Sequence, residues 1–137
     1  VAADVWSATS FQQLRADCLR VERHNRLHPG AEPEIPYLVR QLSDAPGPIV
    51  AATDYVKAVP DMVARWIDRP YLVLGTDGFG RSDTREALRT YFEVSPQQIA
   101  YAALVGLHQT GEASADELQA ALGELGIDPE QPDPALP

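Results

Sequence analysis

A chain of 137 residues, 45% of them apolar and carrying a formal net charge of −9, is long enough for one core-bearing domain and too acidic to present a nucleic-acid surface. Its apolar runs, such as YAALVG, fall far short of a membrane span, and no cationic-then-apolar segment opens it, so neither a membrane helix nor a signal peptide is expected. Cys18 is the only cysteine, which excludes an internal disulfide and a cysteine metal cluster and fits a reducing cytoplasm.

In chain order, VAADVWSATS is short, apolar and closes in small polar residues, a pattern that predicts a strand and a turn. Ser10 is placed to cap the next helix, with Gln13 as its capping-box partner. Along FQQLRADCLRVERHNRLHPG, Phe11, Leu14, Cys18, Val21 and Asn25 share one face at helical spacing, and Arg15, Arg20, Arg23 and Arg26 mostly lie off it. Pro29 and Gly30 end that helix. AEPEIP is a proline-broken connection, and YLVRQL is one or two helical turns. After the breaker DAPGP, IVAATD predicts a buried strand. YVKAVPDMVARWI predicts a helix capped by Thr53 or Asp54, with a kink or a late start at Pro60. DRP turns the chain into a third strand, YLVLG, which runs into GTDGFGRSDTRE. Asp83 and Glu86 form a second capping-box pattern ahead of an apolar stripe of Leu88, Tyr91 and Phe92. Ser95 caps the next helix, with Pro96 at its first position and Gln98 reaching back. Ser114 and Glu117 open the last helix, whose buried face is Leu118, Ala121, Leu122 and Leu125. IDPEQPDPALP is an acidic, proline-rich tail.

Strand, helix, strand, helix, strand and further helices predict an α/β domain with a mainly parallel sheet. Three short strands are few for a sheet buried on both faces, so either the sheet is unusually small or part of it lies outside this stretch. The opening at Val1, already inside an apolar run, points to the second. Charge is distributed unevenly: residues 90–137 carry 8 of the 20 acids and none of the 11 basic side chains. That region is either a solvated acidic face or a docking surface for a basic partner.

The glycine loop is the main chemical candidate. Gly75, Gly78 and Gly80 give G-x-x-G-x-G, the wrong order for a dinucleotide fingerprint, and a Walker lysine is absent. Its position after a strand and before a helix suits an anion, to which Arg81 and Ser82 would add. Equally, the loop is a tight turn whose glycines permit positive φ, with Arg81 paired to a neighbouring domain. Asp77, Arg81, Ser82 and Asp83 are therefore the interdomain or anion-contact candidates. Asp77 and Asp83 lack the ligand spacing of a calcium loop. His24 and His28 have two-histidine spacing but no following carboxylate, and both His28 and His108 suit helix C-terminal ends. Cys18 reads as a core thiol, and Trp6 and Trp66 as core. Ser82 is not in a nucleophile elbow. No catalytic, cofactor-binding or metal-binding residue is assigned.

DVWSATSFQQLRADCLRVERHNRLHPGAE, PIVAATDYVKAVPDMVARWI and above all LGTDGFGRSDTRE resemble the C-terminal domain of the homodimeric bacterial pyruvate dehydrogenase decarboxylating subunit, a thiamine diphosphate enzyme. The resemblance covers nearly the whole chain. It implies a transketolase-like C-terminal domain over residues 1–127, a three-layer α/β/α arrangement with a mainly parallel sheet, followed by the tail at 128–137. It implies a preceding strand–helix unit upstream of Val1, whose strand lies between VWSATS and IVAATD. The parent enzyme is expected to decarboxylate pyruvate oxidatively and acetylate a lipoyl group. Thiamine diphosphate and Mg²⁺ belong to two earlier domains, and the family's Gly-Asp-Gly metal motif is absent here. Implied partners are the remaining domains of the subunit, the second subunit of a homodimer and the acetyltransferase core of the complex, in the cytoplasm, with neither nucleic acid nor membrane. On this reading GTDGFGRSDTRE is a structural corner in which Asp83 caps a helix and Arg81 ties to an adjacent domain or subunit.

Overall fold

The structure is a computed structural model that describes residues 2–136; Val1, where the first expected strand begins, and Pro137, where the tail ends, lie outside the described residues. The chain divides into two compact units. One comprises the residues up to Pro46 together with Val59–Asp68, the other Gly47–Ala58 together with the residues from Arg69 onward.

The first unit is built on helix α1, Phe11–Leu27. Ser10 is extended, and its hydroxyl accepts the Gln13 N–H at 3.2 Å, satisfying one of the donors a helix start leaves free. The apolar spacing brings Cys18 and Val21 fully inside, at 0% and 2% exposure, while the four arginines stay in solvent. Helix α2, Tyr37–Leu42, packs against α1. It follows Pro36, which offers no side-chain cap, so Asp17 of α1 supplies one from a distance: its Oδ2 accepts the Tyr37 N–H at 2.7 Å. The connection between the two helices is pinned at Glu34. Its backbone N–H and C=O exchange two 2.9 Å hydrogen bonds with the Asn25 amide, and its carboxylate accepts from Arg20 at 2.7 Å.

The expected helix YVKAVPDMVARWI is shorter and later than its pattern. Helix α3 covers Ala58–Asp61, and a separate 3₁₀ turn covers Ala64–Trp66. Pro60 sits in the first turn of α3, where its missing N–H costs no internal bond, so the late start anticipated at Pro60 is what occurs. Neither Thr53 nor Asp54 caps it; Thr53 Oγ1 instead accepts the Tyr55 N–H at 3.2 Å. Glu22 on α1 accepts the Trp66 Nε1–H at 3.0 Å and pairs with Arg65, whose guanidinium lies 4.3 Å from the Trp66 ring centre.

One expected element is absent. Residues 2–9 form no strand, with Val5 96% and Trp6 59% exposed. A strand exists only where a neighbour takes its alternate N–H and C=O groups, and no described strand pairs with this segment. Trp6 is accordingly not core.

The second unit holds the sheet. Strands β1, Ile49–Ala52, and β2, Tyr71–Leu74, pair in parallel with Ile49 opposite Tyr71 and Ala52 opposite Leu74. The α/β class and the parallel pairing are those the sequence predicts, with two described strands rather than three. Helix α4 spans Arg85–Tyr91, α5 Pro96–Gln109 and α6 Ala115–Leu125. Helix α5 packs across both strands and α6 packs on α5. Ser95 and Ser114 cap α5 and α6 as their sequences predict, and Ser114 with Glu117 completes a reciprocal capping box. Gly106 sets the distance between α5 and the sheet: a Cβ there would lie 2.4 Å from Pro48 Cβ and 3.2 Å from Leu72 Cδ1.

Two outcomes follow from this packing. Gly106→Ala should destabilise the chain by about 1–3 kcal/mol in urea denaturation, because a rigid proline ring must give way. Gly123→Ala, in a helix with open space around it, should be neutral or stabilising by up to about 1 kcal/mol. The Tyr37 N–H, followed by the Arg20 guanidinium, holds the Asp17 carboxyl below its ordinary 3.8. A carboxyl lowered on folding stabilises above its unfolded value and loses that contribution as pH falls through the folded one. The stability profile of Asp17→Asn should therefore be flatter than that of the parent chain below pH 3.8, measured by denaturation across an acid series.

Candidate functional site

The loop after β2 leaves the sheet where the loop after β1 also leaves it, since parallel strands end on the same edge. Ligands of open α/β sheets bind along that edge. Here the two loops are fastened to one another. Gly75 has no room for a side chain: a Cβ would lie 2.6 Å from the Tyr55 carbonyl oxygen and 3.0 Å from the Lys57 nitrogen. The Thr76 N–H donates to Tyr55 O at 2.9 Å, and its hydroxyl donates to Asp54 O at 3.0 Å. Asp77 Oδ1 accepts the Lys57 N–H at 3.0 Å, just ahead of α3.

Beyond this fastening the loop turns outward. Gly78 has φ +94°, a conformation glycine adopts freely, and a Cβ on it would collide with the Pro134 carbonyl oxygen at 2.3 Å. Phe79 stands 84% exposed. The Arg81 guanidinium lies 4.2 Å from the Tyr91 ring centre, in cation–π contact, and pairs with no carboxylate among the described residues. Ser82 is exposed and joins none of these bonds. Asp83 Oδ1 accepts the Thr84 N–H at 2.7 Å.

The cap of α4 is shifted one residue from its expected place. Thr84, not Asp83, is the N-cap: its backbone is extended and its hydroxyl accepts the Ala87 N–H at 3.2 Å. Both residues carry the right oxygen, and position alone decides between them. Glu86 lies in the first turn, where its charge suits the helix dipole, and is no capping-box partner.

Of the four sequence candidates, Asp77 and Asp83 are thus bound to backbone, Arg81 to an aromatic face, and Ser82 to neither; the structure does not gather them round a common point. An anion at the start of α4 would meet two carboxylates and find the Thr84 and Ala87 donors taken. Sequence reasoning missed Phe79 and Tyr91. A lone aromatic between two glycines in a polar loop was the available signal for Phe79; for Tyr91, part of the apolar stripe with Leu88 and Phe92, there was none. An open groove of about 660 Å³ runs beside α4, lined among others by Thr84, Thr90, Tyr91, Gln131 and Leu136.

The remaining candidates have structural partners. His24 and His28 stack at 4.2 Å, with His28 Nδ1 on the His24 carbonyl oxygen at 2.8 Å and His24 Nε2 facing Glu34 at 3.4 Å. His108 Nδ1 meets the Ala113 carbonyl oxygen at 2.8 Å. Burial pushes the Cys18 thiol up, as for an unreactive core group. Among the described residues, no three His, Cys, Asp or Glu side chains converge to hold a metal, and no helix is long and apolar enough to cross a membrane.

The transketolase-like TK C-terminal domain profile matches residues 1–95. The chain is 45% identical over 135 residues to the pyruvate dehydrogenase E1 component of Pseudomonas aeruginosa, covering 98% of this chain and 15% of that protein. It is 42% identical over 137 residues to the same component of Escherichia coli K12, covering 99% and 15%. With that of Mycolicibacterium smegmatis it shares 41% over 128 residues, covering 93% and 14%. The chain therefore spans about 15% of the length of the curated relatives it matches.

The assignment of the α4 cap is tested by substitution. Thr84→Ala should cost about 1 kcal/mol of stability, and Asp83→Ala distinctly less, in paired chemical denaturation curves.

Proposed function

The chain belongs to the transketolase-like TK C-terminal domain family, and from that membership we propose that it serves as the non-catalytic C-terminal domain of a pyruvate dehydrogenase decarboxylating subunit, where it supports interdomain and dimer assembly. In this reading residues 1–127 form the domain and 128–137 its acidic tail. The parent enzyme decarboxylates pyruvate oxidatively and passes the acetyl unit to a lipoyl group on the acetyltransferase core, in the cytoplasm. Thiamine diphosphate, held with Mg²⁺, supplies the electron sink there. Among the described residues, the side chains do not fit that group. The described residues offer no metal-ligating cluster, and at the start of α4 the Thr84 and Ala87 N–H groups are taken while the Asp83 and Glu86 carboxylates would repel a diphosphate. The reaction is accordingly assigned to other parts of the polypeptide, and the isolated chain to inactivity.

One observation carries the assembly role: a loop whose base is fastened by backbone bonds presents an aromatic ring, Phe79, almost wholly to solvent. Ordering a loop and then spending its tip on water is unfavourable unless another surface covers that tip. Arg81, held on Tyr91 and paired with no carboxylate among the described residues, is suited to reach an acidic or carbonyl group on the same neighbour. The alternative, a stand-alone anion-binding regulatory module using residues 75–83, is disfavoured by Asp77 and Asp83 in that loop.

In the full-length protein, Phe79→Ala and Arg81→Ala should each weaken assembly, seen as a rise of about tenfold or more in the dimer dissociation constant by analytical ultracentrifugation. Unchanged dimerisation and unchanged activity in both variants would remove the assembly role. Calorimetric titration of the isolated chain with phosphate-bearing metabolites should give no heat of specific binding; tight binding would favour the regulatory module.

A further inference from the structure

We propose that residues 131–136 form a strap that fixes the outer half of the glycine loop and thereby sets where Phe79 and Arg81 stand. The inference rests on the geometry of the second unit, independent of the assembly role.

The tail follows a defined course. The Glu130 N–H donates to Asp128 Oδ1 at 2.9 Å and the Gln131 N–H to Asp128 O at 3.3 Å. Asp133 repeats the arrangement, with Oδ1 accepting from Ala135 N–H at 2.8 Å and its carbonyl from Leu136 N–H at 3.1 Å. Two successive aspartate-centred turns, with Pro129, Pro132 and Pro134 restricting φ between them, lower the entropy lost on ordering this segment.

The course brings the tail to two places. At Gly78 it meets the loop backbone to backbone: the site of a missing Cβ is 2.3 Å from Pro134 O and 3.2 Å from Ala135 Cα. At Tyr91 the Gln131 Nε2 donates to the backbone carbonyl at 3.5 Å, a group left free by the end of α4. The ring of that same Tyr91 carries Arg81. The strap therefore touches both ends of the Arg81 contact, the loop that bears the guanidinium and the helix that bears the ring. Gly75 and Asp77 fasten only the base of the loop; from Gly78 outward the strap is the backbone support.

The strap is also releasable. Pro132, Asp133, Ala135 and Leu136 are exposed, and the groove beside α4 is open. Segments with few buried contacts open at low free-energy cost. Lifting the strap frees Gly78 and, with it, the Phe79 tip.

The test is limited chymotrypsin digestion of the full-length protein, with the cleavage sites identified by mass spectrometry. Residues 129–136 are replaced by a Gly-Ser linker of equal length, in the parent background and in Gly78→Ala. The strap predicts that the linker raises the rate of cleavage after Phe79 by about tenfold while cleavage after Tyr101 in α5 is unchanged. It predicts further that the linker adds little in the Gly78→Ala background, where the contact is already lost. An unchanged rate at Phe79 would overturn the proposal. So would an equal rise at Tyr101, which would make the tail a prop for the whole unit. Fully additive effects of linker and Gly78→Ala would overturn it as well, since the two would then be independent.

Discussion

The second unit depends on the absence of one carbon atom. At Gly75 the chain leaving β2 runs so close to the chain leaving β1 that no side chain fits between them. That approach allows the Thr76 and Asp77 bonds to the 54–57 segment. Each such bond contributes about 0.5–1.5 kcal/mol net. The Arg81–Tyr91 stack, at an exposed site, contributes about 0.5–1 kcal/mol. The backbone bonds together outweigh it, so the arginine is placed by the loop more than the loop is held by the arginine. The same bonds occupy the sheet edge where an α/β fold otherwise receives a ligand. At that edge the Asp77 carboxylate takes up the Lys57 N–H.

The first unit is held together differently. Its ion pairs are largely exposed, with Arg20 and Arg65 about 60% accessible, and pairs of that kind contribute little. What orders the unit is the buried stripe of α1 and the use of polar side chains to satisfy backbone. Asp17 serves the bare start of α2, and Asn25 mimics a peptide group for Glu34. These bonds keep their value because they replace donors and acceptors the chain must satisfy in any case.

Helices with a clear stripe and a serine cap were legible from sequence, because cap and stripe are local signals: Ser10, Ser95 and Ser114 all cap where their patterns place them. Thr84 was hidden behind Asp83 since two adjacent residues carried equivalent oxygens. The strand expected at VWSATS failed for a non-local reason. Alternation and apolarity make a segment fit for a sheet, but pairing is decided by a neighbour that the segment does not encode. At the site, the glycine loop and Arg81 were visible by residue type. Their partners, Tyr91, Lys57 and Pro134, were not, because the contacts join positions separated by 10 to 56 residues in the chain. The family itself was readable from LGTDGFGRSDTRE, and the comparisons bear that out.

The contact of Gly106 with Pro48 reaches beyond the stability of one chain. Helix α5 rides on the sheet at a separation set where Gly106 meets Pro48, and position 106 does not tolerate enlargement alone. A lineage that acquires a side chain at 106 must shrink or reshape position 48 to keep the helix seated, and the reverse order of changes is the easier route. One contact thus couples two positions that more than fifty residues of chain separate.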